Sequence, residues 1–147
     1  SESALIWHGI ESSWGATARA IPSSMRGQRV YFEVNSSPYG AGPVSFLGEM
    51  LHHLGLVNII PPDMGPFPKI NPEFIVRAQP DILMLSDGSR SSLRQRPGWS
   101  KLQAVQRDQV CVFDQTDTDV LVRAGPRLAE AAQLVVGCLQ RLARAGR

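Results

Sequence analysis

The sequence predicts an α/β domain, a layered, Rossmann-like lobe with a mostly parallel central sheet flanked by helices. Three observations carry this. RVYFEV (29–34) is rich in β-branched and aromatic residues, as a strand should be. ILML (82–85) is an unbroken apolar run of the kind buried on both faces of a sheet. Between strand-like segments lie helical patterns long enough for parallel, right-handed crossovers.

The elements follow in order. Residues 4–21 place Trp7, Ile10, Trp14, Ala18 and Ile21 three and four apart, which marks one helical face. Gly9 and Gly15 each weaken that helix by up to ~1 kcal/mol relative to alanine, so it depends on packing against a partner. Pro22, Ser23 and Ser24 end it, and a short basic linker precedes the strand at Arg29. The connection 35–43 holds two glycines and two prolines and reads as a turn-rich functional loop. A helix over 44–54 then sets Val44, Leu47, Met50, Leu51 and Leu54 on one face, with Gly55 as its C′ stop.

Residues 65–81 form a stiff unit. Prolines at 66, 68 and 72 restrict φ, so Phe67 is held out by a rigid backbone. Asn71 is a favourable N-cap, Pro72 suits N1, and Glu73 falls in the first turn of a short helix. After the strand at 82–85, Asp87-Gly88-Ser89 turns the chain into a polar stretch carrying Arg90, Arg94 and Arg96. The last strand is expected over 109–113. A solvated loop with Asp114, Asp117 and Asp119 follows, and Gly125-Pro126-Arg127 opens a final helix to about Leu142.

With 147 residues the chain suffices for one domain with a core and is too short to expect two. Fifteen basic against thirteen acidic residues give a formal charge of +2, too even to indicate nucleic acid or a membrane surface. No apolar run approaches the ~20 residues of a membrane span, and Ser1–Ala4 shows no signal-peptide pattern. Cys111 and Cys138 sit in apolar surroundings and read first as two buried thiols; a disulfide is the alternative in an oxidising compartment.

The candidates for chemistry are few. The three aspartates lack the central glycine and closing glutamate of a calcium loop. His52 and His53 are adjacent on a helix and cannot chelate one metal from a shared face, and His8 stands alone. Gly40-Ala41-Gly42 follows a strand, but its spacing matches neither dinucleotide fingerprint nor P-loop; it reads as a close-approach turn lining a pocket. Ser36, Ser37 and Ser86 lack a nucleophile elbow. No catalytic residue, metal ligand or cofactor is therefore expected. An α/β enzyme using loops 35–43 and 86–89 is the competing class. Tyr39 and Phe67, in proline–glycine loops at strand ends, are placed where open α/β sheets bind ligands.

Taken in order, RVYFEV (29–34), SPYGAGP (37–43), FLGEML (46–51) with Gly55 and Asn58-Ile59, FPKINPE (67–73), PDILML (80–85), PGW (97–99) with Ala104-Val105, and RAGPR (123–127) resemble a known family. It is the C-terminal lobe of class III periplasmic substrate-binding proteins, receptors that feed ABC importers for cobalamin, iron-siderophore or haem. The resemblance covers roughly residues 28–142. It implies two α/β lobes joined by one long helix, with ligand between them and the N-terminal lobe outside this chain. Residues 1–25 then correspond to the end of the interlobe helix and a linker, and 26–147 to the C-terminal lobe. It implies a periplasmic or lipid-anchored location and a metal-chelate ligand, cobalamin or a related corrinoid first because Phe67 matches a ligand-facing aromatic. Ferric siderophore or haem comes second. Pro38, Tyr39, Phe67, Asp87, Gly88 and Arg123 are the expected ligand-binding residues. Glu73 matches the glutamate that docks onto permease arginines. A lone lobe exposes apolar surface around Trp7 and Trp14 and invites dimers.

Overall fold

The computed structural model describes residues 19–123 and 128–145. Five strands form one sheet: β1 (Arg29–Asn35), β2 (Tyr39–Gly40), β3 (Val57–Asn58), β4 (Ile82–Ser86) and β5 (Val110–Phe113). The order is β2-β1-β4-β5, with β3 also beside β1. β1 runs parallel to β3 and β4, and β4 parallel to β5, while β2 turns back antiparallel on β1. The mostly parallel α/β sheet is thus as expected. β2 and β3 were missed, because two-residue strands are too short to show a period of two.

Alternation along β1 and β4 divides the interior into two cores. Val30, Phe32, Ile82 and Met84 face one layer; Tyr31, Leu83 and Leu85 face the other. All five residues of β4 are buried, which is why this strand reads as a continuous apolar run. The first layer is made by α1 (Phe46–His53), α5 (Gln115–Val122) and α6 (Leu128–Ala145). The second holds α2 (Pro72–Ala78), the short α3 (Ser92–Gln95) and α4 (Gln103–Gln106), with Trp99 at its centre.

α1 shows how sequence sets an element. Ser45 caps it, its hydroxyl accepting from Gly48 N at 2.9 Å. Leu47, Met50, Leu51 and Leu54 are essentially fully buried, each worth roughly 1.5–3 kcal/mol of burial. Gly55, at φ 90°, takes the left-handed conformation that stops the helix. Val44, expected on the buried face, is instead 51% exposed, because it precedes the cap and never enters the helical period.

Two further expectations are corrected. The aspartate loop after β5 is the helix α5: Asp114 is its N-cap, accepting from Asp117 N at 2.8 Å, and Thr118, Val120 and Leu121 are buried. A good cap and three inward residues outweigh the local excess of acid. Cys111 in β5 and Cys138 in α6 are not two thiols but one disulfide, with Cα atoms 6.1 Å apart. It staples the edge strand to the longest described helix.

Ile21 and Met25, just before β1, are buried in the first core, and Ala20 O accepts a bond from Gln140 of α6. Trp7, Ile10, Trp14 and Ala18 of the first expected helix, and the Gly125-Pro126-Arg127 opening of the last, lie outside the described residues.

Candidate functional site

β1 and β4 are neighbours, so the loops leaving their carboxyl ends, 36–45 and 87–91, lie side by side at one edge of the sheet. This is where open parallel sheets present ligand-binding crevices.

The first of these loops is doubled by the proline-framed segment. Gly40 N donates to Pro68 O (3.0 Å), Gly42 N to Pro66 O (2.8 Å) and Ile70 N to Pro38 O (3.0 Å), and Tyr39 bridges antiparallel to Lys69. The result is a two-stranded ribbon in which Tyr39 lies opposite Lys69, and Phe67 two positions away on the second strand. Tyr39 and Phe67 are 37% and 38% exposed, large values for aromatics with this much backbone pairing around them. Val44, Phe46 and Met64 add exposed apolar surface from the same two segments. Pro38 is buried and follows a cis peptide, and its carbonyl accepts from Ile70 N to hold the ribbon.

Glycines permit the close approach expected of the 40–42 turn. A Cβ on Gly42 would collide with the carbonyl oxygen of Gly65, and one on Gly40 would come within 2.7 Å of Ile60 and 2.8 Å of Tyr31. Asn58 secures the turn from β3, its amide donating to Ala41 O at 2.8 Å.

The second loop begins with a 3-10 turn, Asp87–Ser89. Asp87, Arg90, Ser91, Leu93, Arg94 and Gln95 line an open cavity of about 820 Å³. Asp87 and Gly88 are exposed, as a ligand-contacting role requires, though open space stands where a Gly88 Cβ would be. Ser86 is buried and spent on a 3.3 Å contact with Ser89 Oγ, which removes it as a nucleophile.

A buried ionic network supports the first of these loops, and sequence reading missed it. Glu33, fully buried in β1, accepts from Arg96 through both carboxylate oxygens (2.8 and 3.1 Å) and from the Tyr31 hydroxyl at 2.8 Å. Arg96 also donates to Ser36 O at 3.2 Å and lies 4.4 Å over the Trp99 ring. Trp99 in turn donates its indole N–H to Pro72 O at the start of α2. One guanidinium therefore ties the end of β1, the 36–38 turn and the α2 segment together. The available signal was a charged residue inside the apolar run RVYFEV; such a residue needs a buried partner. Desolvation, reinforced by the Glu33 carboxylate, pushes the Tyr31 phenol far above its ordinary value.

Glu73 stands apart, exposed in the first turn of α2. Asn71 Oδ1 accepts from Glu73 N at 3.0 Å, fixing the turn, and no ion pair engages the Glu73 carboxylate among the described residues. Arg123 is exposed at the end of α5, and no hydrogen bond or ion pair among the described residues joins it to the ribbon or to the Asp87 groove. The structure thus brings Pro38, Tyr39, Phe67, Asp87 and Gly88 to one edge, and among the described residues no hydrogen bond or ion pair joins Arg123 to it.

This edge presents two exposed aromatics beside an open groove. Residues 6–116 match the periplasmic binding protein family, and the chain belongs to it. It is a family of substrate-binding proteins. Among solved structures the chain is similar to a possible iron-binding periplasmic solute-binding protein from Staphylococcus epidermidis, at 25% identity and a TM-score of 0.74 over 90% of this chain and 52% of that one. It is also similar to the periplasmic vitamin B12-binding protein BtuF of Vibrio cholerae, at 22% identity and a TM-score of 0.73 over 92% and 52%. A third is the periplasmic haem-binding protein RhuT from Roseiflexus sp. RS-1, at 22% identity and 0.68 over 91% and 54%. The chain spans about half the length of these structures. No curated protein sequence matches it. No helix among the described residues is long and apolar enough to cross a membrane.

Proposed function

We propose that this chain is the C-terminal lobe of the solute-binding component of an ABC importer for a metal-chelate nutrient. The observation that carries the reading is the Tyr39–Phe67 ribbon. Two aromatics stay exposed on a proline-stiffened backbone at the carboxyl edge of a parallel sheet. A rigid apolar platform suits the broad face of a corrin, a porphyrin or a wrapped ferric chelate, because little side-chain entropy is lost on contact. The expectation of a corrinoid rests on Phe67; a ferric siderophore or haem uses the same platform. Similar structures are named for vitamin B12 and for haem. The Cys111–Cys138 disulfide supports a location in an oxidising compartment such as the periplasm. Glu73, exposed on a capped first turn, is the carboxylate we assign to docking on permease arginines.

Calorimetric titration of a two-lobed protein containing this chain, with cobalamin, haem and a ferric hydroxamate, tests the reading. Saturable binding of one ligand, weakened about tenfold or more by Phe67→Ala, is the expected result. Binding of none of the three removes the metal-chelate proposal.

A further inference from the structure

We infer that Arg96, acting through Ser36 and Trp99, is the positioning residue of the Tyr39–Phe67 ribbon, closing the end of a ladder that proline leaves half-bonded. This deepens the reading of the ribbon as a ligand platform and rests on it.

The ribbon is short of donors. In an antiparallel pair, hydrogen-bonded positions ordinarily exchange two N–H···O bonds. Here the bonded positions are Gly42 with Pro66, Gly40 with Pro68, and Pro38 with Ile70. Each pair contains one proline, which has no N–H, so each rung carries one bond instead of two. The next rung in the same register, Ser36 with Pro72, again contains a proline, and no backbone bond joins the two residues. The prolines that stiffen each strand thus weaken the pairing between them.

Side chains take over at this open end. Ser36 O accepts from Arg96 at 3.2 Å, in place of the N–H that position 72 lacks. Pro72 O accepts from the Trp99 indole, also at 3.2 Å. The Arg96 guanidinium lies 4.4 Å over the Trp99 ring, which links the two donors to each other. Bonds of 2.8 and 3.1 Å to Glu33 fix the guanidinium in turn. Tyr39 stands between the rungs at 38 and 40, and Phe67 between those at 66 and 68. Fraying from the Ser36–Pro72 end therefore reaches Tyr39 first and Phe67 next. Replacing a buried ion pair by apolar residues often leaves stability intact. What Arg96 adds here is its third contact, to Ser36, which no apolar side chain can make.

The test removes the network without stranding a charge, by combining Tyr31→Phe, Glu33→Met and Arg96→Met in a two-lobed protein containing this chain. Denaturant unfolding reads the global stability, and amide hydrogen exchange followed by nuclear magnetic resonance reads each rung. The expected result is a denaturant midpoint close to the parent's, with exchange of Ile70 faster by about tenfold, Gly40 less affected and Gly42 least. Leu83, bonded to Gln109 O within the sheet, should keep its parent rate. A merely structural role would speed all four amides alike. Should the triple variant fail to fold, Arg96→Lys keeps a cation beside Glu33 without the planar fork and should give the same order in smaller measure. Unchanged exchange at Ile70 and Gly40 relative to Leu83 would overturn the proposal.

Titration of parent and variant with cyanocobalamin, haemin and a ferric trihydroxamate separates this inference from the reading beneath it. Binding of whichever ligand the parent holds should weaken by about tenfold, because a loosened platform must be ordered again on contact. Equal affinity in parent and variant would overturn the positioning role and leave the metal-chelate reading intact. Binding of none of the three by the parent, with the graded exchange present, would remove the metal-chelate reading and uphold the clamp on the ribbon.

Discussion

Glu33 and Arg96 show how one residue pair can govern a site it does not line. Glu33 has no exposed surface and the Arg96 side chain has 12%. Removing one partner strands a buried charge, so Arg96→Ala should destabilise the fold by about 3–5 kcal/mol, readable as a shift in the denaturant midpoint. Arg96→Lys should recover only part of this, since an ammonium cannot span both carboxylate oxygens. Tyr31 gives the same network a pH signature. Its phenol is held neutral by burial and by Glu33, so its pKa in the fold lies above that in the unfolded chain. The associated stability is complete below the unfolded value near ~10 and is lost as pH climbs beyond it. Phenolate absorbance from Tyr31 should therefore appear together with alkaline unfolding. Tyr31→Phe should flatten that alkaline loss while costing about 1 kcal/mol at neutral pH through the missing bond to Glu33.

Helix ends and tight turns decide how the ribbon and the Glu73 face are presented. Asn71 caps α2 and sets the turn on which Glu73 stands. Asn71→Ala should cost about 1 kcal/mol in thermal or denaturant unfolding. Glu73→Arg should leave the folded stability nearly unchanged, yet abolish uptake in cells carrying the intact importer; normal uptake would remove the docking assignment. At the other end of the site, a Cβ on Gly48 would collide with the Gly42 carbonyl oxygen, so α1 and the ribbon touch backbone to backbone. Gly48→Ala is expected to push residues 42–43 outward and weaken ligand binding more than it weakens α1. Much at this scale was legible in sequence: the Asn71 cap, Pro72 at N1, the Gly55 stop and the close-approach glycines. Val44 and the aspartates after β5 were not. Where a helix begins is decided by the side chain able to reach back to its free N–H groups, Ser45 in one case and Asp114 in the other.

For the molecule as a whole, the disulfide spans a separation of 27 residues and joins β5 to α6 across the first core. Loop-closure entropy puts its contribution near 3.5 kcal/mol, so reduction should lower the melting temperature, most visibly in hydrogen exchange of β5 and α6. Periodicity and composition alone determined the α/β class, three of the five described strands, the buried character of β4 and the position of Tyr39 and Phe67 in loops at strand ends. Those features depend on neighbours in sequence, and burial repeats with the geometry of the local backbone. Tertiary structure alone decided that Cys111 meets Cys138, that Glu33 meets Arg96 across 63 residues, and that Lys69 lies opposite Tyr39. It also decided that Arg96 is spent on Glu33 while, among the described residues, Arg90 and Arg94 carry no ion pair. Pairings of this kind carry no period; they exist only once the sheet order has brought distant segments within reach of one another.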